Sequence, residues 1–316
     1  MDRLKHVIRS VLKDRLKIRH GETVIILADT HFSELANNFY EETKLFSRNH
    51  FLLIIPEITA YCCDLPRHVS SFITKADVLI ILTSRFLSNT TRNRTSQRGT
   101  RIITLSGITE ETILRTFTVD YKYLAAKSRK IADILTIGRS AHLTTPAGTD
   151  LTFSLLRMRG YADTGTVHEP GQFTNLPAGE ACITPVHGTA EGILVIDGSF
   201  PEIGKIDTPI RMTVKKGRVV RIIGGDETVK VRALLRRFGK CGKNIAEIGV
   251  GTNPEAKLTG CIREDTKVLG TVHVAFGNNV SFGGKVSAGC HLDGVLLNST
   301  LVIDTKTVVE NGILQV

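Results

Sequence analysis

Two imidazoles and several carboxylates fall within 47 residues near the C-terminus of this chain: Glu247, Glu264, His273, His291 and Asp293. Each lies on or beside a glycine-rich or strand-like run, where apolar or turn residues are the ordinary occupants. Donors of these types, gathered in so short a span, can converge on a divalent metal. His291-Leu292-Asp293 is the sharpest part of the pattern. Side chains two apart on an extended segment point the same way, so one imidazole and one carboxylate face a common point while Leu292 turns aside. That makes the chain an enzyme candidate.

Glu247 stands among Ile245, Ala246, Ile248 and Val250, so its carboxylate is expected to be at least half buried. A buried carboxylate needs a cation or good hydrogen bonds. Either an arginine or a metal would serve. His273 sits in the apolar run Val268 to Gly277. Alone it reads as a hydrogen-bonded core histidine; with His291 and Asp293 following, and Gly283-Gly284 permitting a tight return, it reads as a ligand. Glu180 opens the apolar strand Ala181 to Pro185, where it could cap a turn or join the same cluster. The cysteines, Cys62, Cys63, Cys182, Cys241, Cys261 and Cys290, show no Cys-x-x-Cys pair and read as buried small hydrophobes. Alternation points Cys290 away from His291.

These residues must be held by a scaffold, and the sequence predicts it in two parts. In residues 1–136, strand-type runs (Thr23–Ala28, Phe51–Pro56, Asp77–Leu82, Arg101–Leu105) alternate with helical periodicity over 2–18, 32–46 and 110–135. Such alternation predicts an α/β, Rossmann-like domain, a parallel sheet covered by helices. The polar, basic stretch Ser88–Gly99 reads as a loop or a short exposed helix. The first strand runs into Asp29-Thr-His-Phe-Ser33 without a glycine, and no Walker-type loop exists, so no nucleotide signal is present. Residues 137–316 turn to short β segments separated by glycines, with one helix at Val229–Phe238. This predicts a mixed α+β, barrel-like domain containing the whole donor cluster.

Composition narrows the class. The chain has 316 residues, 41% hydrophobic and 23% charged, with no apolar run of the roughly 18–20 residues a bilayer span requires. Met1–His20 is charged throughout and lacks a secretory apolar stretch. A cytoplasmic protein is expected. The net charge of +10 is concentrated in residues 1–140, which hold +8 of it. With aromatics at 6% and no Trp, a solvated helix face is favoured over a nucleic-acid surface.

At this point the chain resembles a known family. Ala246-Glu-Ile-Gly-Val-Gly-Thr-Asn-Pro254, Glu264-Asp-Thr-Lys-Val-Leu-Gly-Thr-Val-His-Val-Ala-Phe-Gly277 and His291-Leu-Asp293 are similar to the C-terminal region of the aminopeptidase T family, metallo-aminopeptidases with a shorter branch of about this length. Gly148-Thr-Asp150 and Asn175–Pro185 match in the same order, so the resemblance covers most of residues 140–316. It implies a homodimeric hydrolase that releases N-terminal residues from peptides with two divalent ions (zinc, cobalt or manganese). It assigns Glu180, Glu247, His273, His291 and Asp293 as metal ligands, with Glu247 and Glu180 as the carboxylates that bridge the ions or take the proton of the attacking water. Two positions depart from the longer peptidases: a tyrosine is replaced by Val280 and a glutamate by Val268, with Glu264 a possible substitute.

The same residues admit a different chemistry. Ring-cleaving dioxygenases acting on dihydroxypyridines resemble this shorter branch and bind a single iron. His273, His291 and Asp293 alone would supply the two histidines and one carboxylate of mononuclear iron(II) oxygenases. Glu247 discriminates: a further carboxylate favours two metals and hydrolysis. A third reading is a non-enzymatic basic scaffold with a vestigial site. The expected function is the metallo-aminopeptidase, acting on a peptide or other small molecule, with the dioxygenase as its alternative.

Overall fold

Three of the four apolar runs of the first half are buried along almost their whole length, and that decides how they pair; the fourth, Phe51–Pro56, lies in the edge strand and leaves Phe51 and Ile54 exposed. The computed structural model describes residues 2–59 and 63–316; Cys62 lies outside them. Thr23–Asp29 and Val78–Leu82 present buried side chains on both faces. Only a sheet covered on both sides accommodates that pattern. The observed order is Asn49–Ile55, Thr23–Asp29, Val78–Leu82, Arg101–Thr104, Phe173–Asn175, parallel throughout. Helices Ser33–Thr43, Arg67–Ile73 and Asn89–Ser96 make the crossovers. The Ser88–Gly99 stretch thus holds a helix, started by the Ser88 hydroxyl, which accepts from Thr91 N.

The chain divides into two compact units, Met1–Val119 with Gly165–Ala178, and Asp120–Thr164 with Gly179–Val316. The sequence predicts a single crossing near residue 136. The structure differs because Phe173–Asn175 adds the edge strand of the parallel sheet, and because the helix Tyr121–Ile137 belongs with the β-rich unit. That helix begins anew at Asp120, whose carboxylate accepts from Lys122 N and Tyr123 N, so the expected 110–135 helix is two helices.

In the second unit an eight-stranded antiparallel sheet and a five-stranded antiparallel sheet share one hydrophobic core. The five-stranded sheet runs His291–Leu296, Val272–Gly277, Ile245–Gly251, Glu180–Ile183, Gly160–Asp163. Helix Tyr121–Ile137 lies against its edge strand so closely that a Cβ on Gly160 would fall 2.3 Å from Ala132 O. The parallel α/β sheet followed by mixed β structure agrees with the expected fold class. Among the described residues no helix is long and apolar enough to cross a membrane.

Phe276 and Phe200 are both fully buried with ring centroids 6.0 Å apart, and they anchor the underside of the five-stranded sheet. Phe276→Ala should lower the unfolding free energy by about 3–5 kcal/mol. Urea denaturation measures it; a loss below ~1 kcal/mol would show that this sheet does not depend on the shared core.

Candidate metal centre

Residues directly opposed in antiparallel strands point to the same side of a sheet, so the register sorts the five-stranded sheet into two faces. One face carries Ala181, Ile183, Ile248, Val250, Val272, Val274, Phe276, Leu292 and Leu296, all in the shared core. The other is polar. Asp163 opposes Glu180, and Tyr161 opposes Cys182. Gly249 lies between Cys182 and His273, Ala275 between Glu247 and Asp293, and Gly277 opposes His291. Four of the five strands therefore deliver every expected ligand to one surface.

Glu247 reaches that surface through a defect in the ladder. Ile245 opposes the core residue Phe276, yet two residues later Glu247 opposes Ala275 rather than Val274, with a register shift between. This bulge turns Glu247 to the polar face while Ile245 stays in the core. Glycine then makes room for the rings. A Cβ at Gly249 would sit 2.2 Å from the His273 Cε1 and Nε2 atoms, so the imidazole lies directly over the strand backbone there.

The donors converge. His273 Nε2 is 3.5 Å from Glu247 Oε1, and His291 Nε2 is 3.5 Å from Glu247 Oε2 and 3.2 Å from Asp293 Oδ1. Glu247, His273 and Asp293 each place one ligand atom within 4.8 Å of the others. Glu247 and His273 are 2% and 1% exposed, and Glu247 Oε2 and His273 Nδ1 have no hydrogen-bond partner. Among the described residues no arginine or lysine pairs with Glu247, so the arginine alternative falls away. Buried polar atoms left without partners cost about 1–3 kcal/mol each, more when charged. A divalent cation among these side chains satisfies the Glu247 oxygen and takes the lone pair of His273 Nε2, the ring nitrogen that faces the carboxylates, and the residues fit one.

His291 is oriented for that task. Its Nδ1 donates to the Asn278 carbonyl at 2.8 Å, which turns Nε2 toward the carboxylates. Burial alone would depress the His291 pKa, but Asp293 and Glu247 overcome it and push it up to about 10. His273 is raised too: burial opposes, and Glu247, Glu180 and Asp293 prevail. Asp293 is lowered, since the neighbouring imidazoles outweigh its burial.

Glu180 has a different partner. It faces the cluster, with Oε2 3.5 Å from His273 Nε2, but the same oxygen is 2.5 Å from the Lys267 ammonium, which also lies 3.9 Å from Asp163 Oδ2. Lys267 and His273 hold the Glu180 carboxyl below its ordinary pKa against its burial. Burial pushes the Cys182 thiol well up, and Glu247 and Glu180 add to that, so it stays protonated. Cys290 packs into the core, away from His291. Glu264 is fully buried in the short helix Ile262–Asp265, where its carboxylate receives Lys257 N. Asp150 sits in the other sheet, bonded to His142. Lys267, Asp163 and Tyr161 were not picked out by sequence reasoning, and Cys182 reads there only as a buried small hydrophobe. Lys267 stands inside the Glu264–Gly277 match but is one of many basic residues. Phe282 also goes unread: its ring centroid lies 5.7 Å from that of His291 and 5.6 Å from that of Tyr161.

Comparison with known proteins decides between the chemistries. The family profile described as NicX, 2,5-dihydroxypyridine 5,6-dioxygenase, matches residues 3–316. A 2,5-dihydroxypyridine 5,6-dioxygenase of Pseudomonas putida KT2440 is 27% identical over 288 residues, 84% of this chain and 79% of that protein. A solved structure of a 2,5-dihydroxypyridine dioxygenase from the same strain superposes with a TM-score of 0.85 at 23% identity, covering 98% of this chain and 96% of that one. Wild-type AmpT from Thermus thermophilus superposes with a TM-score of 0.70 at 13% identity, covering 100% and 99%. The AmpT likeness shows the fold alone. The expected aminopeptidase, with its hydrolase and protease chemistry and its peptide substrate, is therefore corrected: the full-length family match is to a dioxygenase. Glu247 misled the choice, because an extra carboxylate does not by itself indicate hydrolysis.

Two outcomes follow from the geometry. Gly249→Ala must displace the His273 ring and should weaken divalent-metal affinity by about 10- to 100-fold with an unchanged far-UV spectrum; unchanged affinity would mean that His273 is no ligand. Because the metal-free His291 titrates at about 10, it carries a proton at pH 8 that a bound cation must expel. Affinity should therefore rise with pH up to that value. Calorimetry at pH 8 in buffers of different ionisation enthalpy should show at least one proton released per ion, since the His273 pKa is raised as well.

Proposed function

The chain belongs to the NicX family of 2,5-dihydroxypyridine 5,6-dioxygenases, and from that premise we propose that it is an iron(II)-dependent dioxygenase that opens a dihydroxylated pyridine ring. One observation carries the reading. Two imidazoles and two carboxylates meet on a single sheet face, with one buried Glu247 oxygen lacking a hydrogen-bond partner. His273, His291, Asp293 and Glu247 would hold one ferrous ion, the ion to which a histidine and carboxylate set of this kind is suited. When bound, that ion supplies the redox centre and the Lewis acid that a ring cleavage by dioxygen requires.

The chain's own residues position the substrate. Phe282 presents a half-buried aromatic ring beside His291, backed edge-on by Tyr161. A planar pyridine would stack there, with ring centroids about 4.5–7 Å apart. Glu180, fixed by Lys267, turns its carboxylate to the same face and would accept a hydrogen bond from a ring hydroxyl. In the overall reaction the bond between ring carbons 5 and 6 breaks, and each of these carbons gains one oxygen atom of O2.

Protein reconstituted with Fe2+ under anaerobic conditions and then mixed with 2,5-dihydroxypyridine and O2 should consume both in equal amounts, with two labelled atoms entering the product from 18O2. Iron-loaded protein that takes up no oxygen with this substrate would refute the assignment. His291→Ala should lower iron affinity at least about 100-fold. Phe282→Ala should raise the KM about 3- to 10-fold with iron content intact, while Phe282→Tyr restores it; an unchanged KM would exclude stacking.

A further inference from the structure

We infer that the Lys267 ammonium takes the place of a second metal ion and thereby makes the centre mononuclear. The inference rests on the one-ion reading above and specifies what enforces it. In a two-metal site the cations lie roughly 3.5–4 Å apart and share a carboxylate. Here Glu180 Oε2 lies between the ammonium and the donor cluster: 2.5 Å from Lys267 Nζ and 3.5 Å from His273 Nε2. The ammonium is thus one carboxylate oxygen away from the donor cluster, on the side facing Asp163.

This lysine is built in. Its side chain is 4% exposed. Its main chain is tied at both ends, with Lys267 N donating to Glu264 O and Asn253 N donating to Lys267 O. Gly251, the residue opposite Glu180, lets the segment pass: a Cβ there would fall 2.0 Å from Val268 O and 2.9 Å from the Lys267 carbonyl carbon. A tethered monovalent cation supplies the charge that Glu180 and Asp163 need. It offers no coordination positions and cannot polarise a water as a divalent ion does. The centre keeps its extra carboxylates without acquiring the second ion that hydrolytic two-metal chemistry uses.

The test is metal stoichiometry, read apart from activity. Metal-free protein is equilibrated with excess Mn2+ or Zn2+, freed of unbound ion and measured by elemental analysis. Wild type and Lys267→Arg should retain about one ion per chain, and Lys267→Met about two. One ion in a folded Lys267→Met variant, or two in wild type, overturns the inference. Should Lys267→Met unfold without metal, recovery of its far-UV spectrum and thermal transition in excess Mn2+ supports the inference, and failure to recover overturns it. Ring cleavage by wild type is scored separately. Its absence counts against the proposed function, whereas the difference in ion count between Lys267→Met and wild type reports on Lys267.

Discussion

Negative charge gathered on one face of a sheet is the constraint from which the rest of this centre follows. Asp163, Glu180, Glu247 and Asp293 all project from the polar side of five adjacent strands, and one buried ammonium stands against them. Water cannot relieve the deepest of them, since Glu247 is almost wholly enclosed. Carboxylates so placed raise the basicity of any imidazole beside them, as His273 and His291 show. They also form a strong attractor for a cation. The opposite face is as apolar as this one is charged, and its core packing is what allows the charged arrangement to be held rather than relaxed.

Backbone devices turn that charge into a defined geometry. A ladder of strict alternation would send Ile245 and Glu247 to the same side; the bulge separates them. Glycines at 249 and 251 leave a shallow trough in the central strand, filled by an imidazole at one position and crossed by the Lys267–Val268 main chain at the other. Each of these features weakens a sheet when considered alone. Here they place side chains that regular pleating would keep apart.

Much of this was legible in the amino-acid order. The four apolar runs of the first half announced a covered parallel sheet because each is long enough to pair, and only the edge run Phe51–Pro56 is left partly exposed. His273, His291 and Asp293 announced themselves as polar groups where strands are otherwise apolar. Glu247 was legible as a buried carboxylate, but its direction was not, since a bulge leaves no mark in residue type. Lys267 could not be told from other lysines without knowing that its segment crosses Gly251. Phe282 and Tyr161 are far apart in sequence and share no period. The excursion of Phe173–Asn175 into the parallel sheet was hidden because a three-residue strand carries no pattern of its own. The reaction itself was the least legible, because hydrolytic and oxygenative centres draw on the same ligand types.

The bond between the His291 ring and residue 278 has a wider implication. The acceptor is a peptide carbonyl, not a side chain, and the Asn278 amide is occupied elsewhere, taking the Val280 N–H. Orientation of the imidazole is thus entrusted to the path of the chain. Relatives could exchange the amino acid at this point, and much of the loop up to Cys290, without turning the ring, provided the backbone keeps its course. Variation in that loop is free to reshape what approaches the centre while leaving the centre's own alignment untouched.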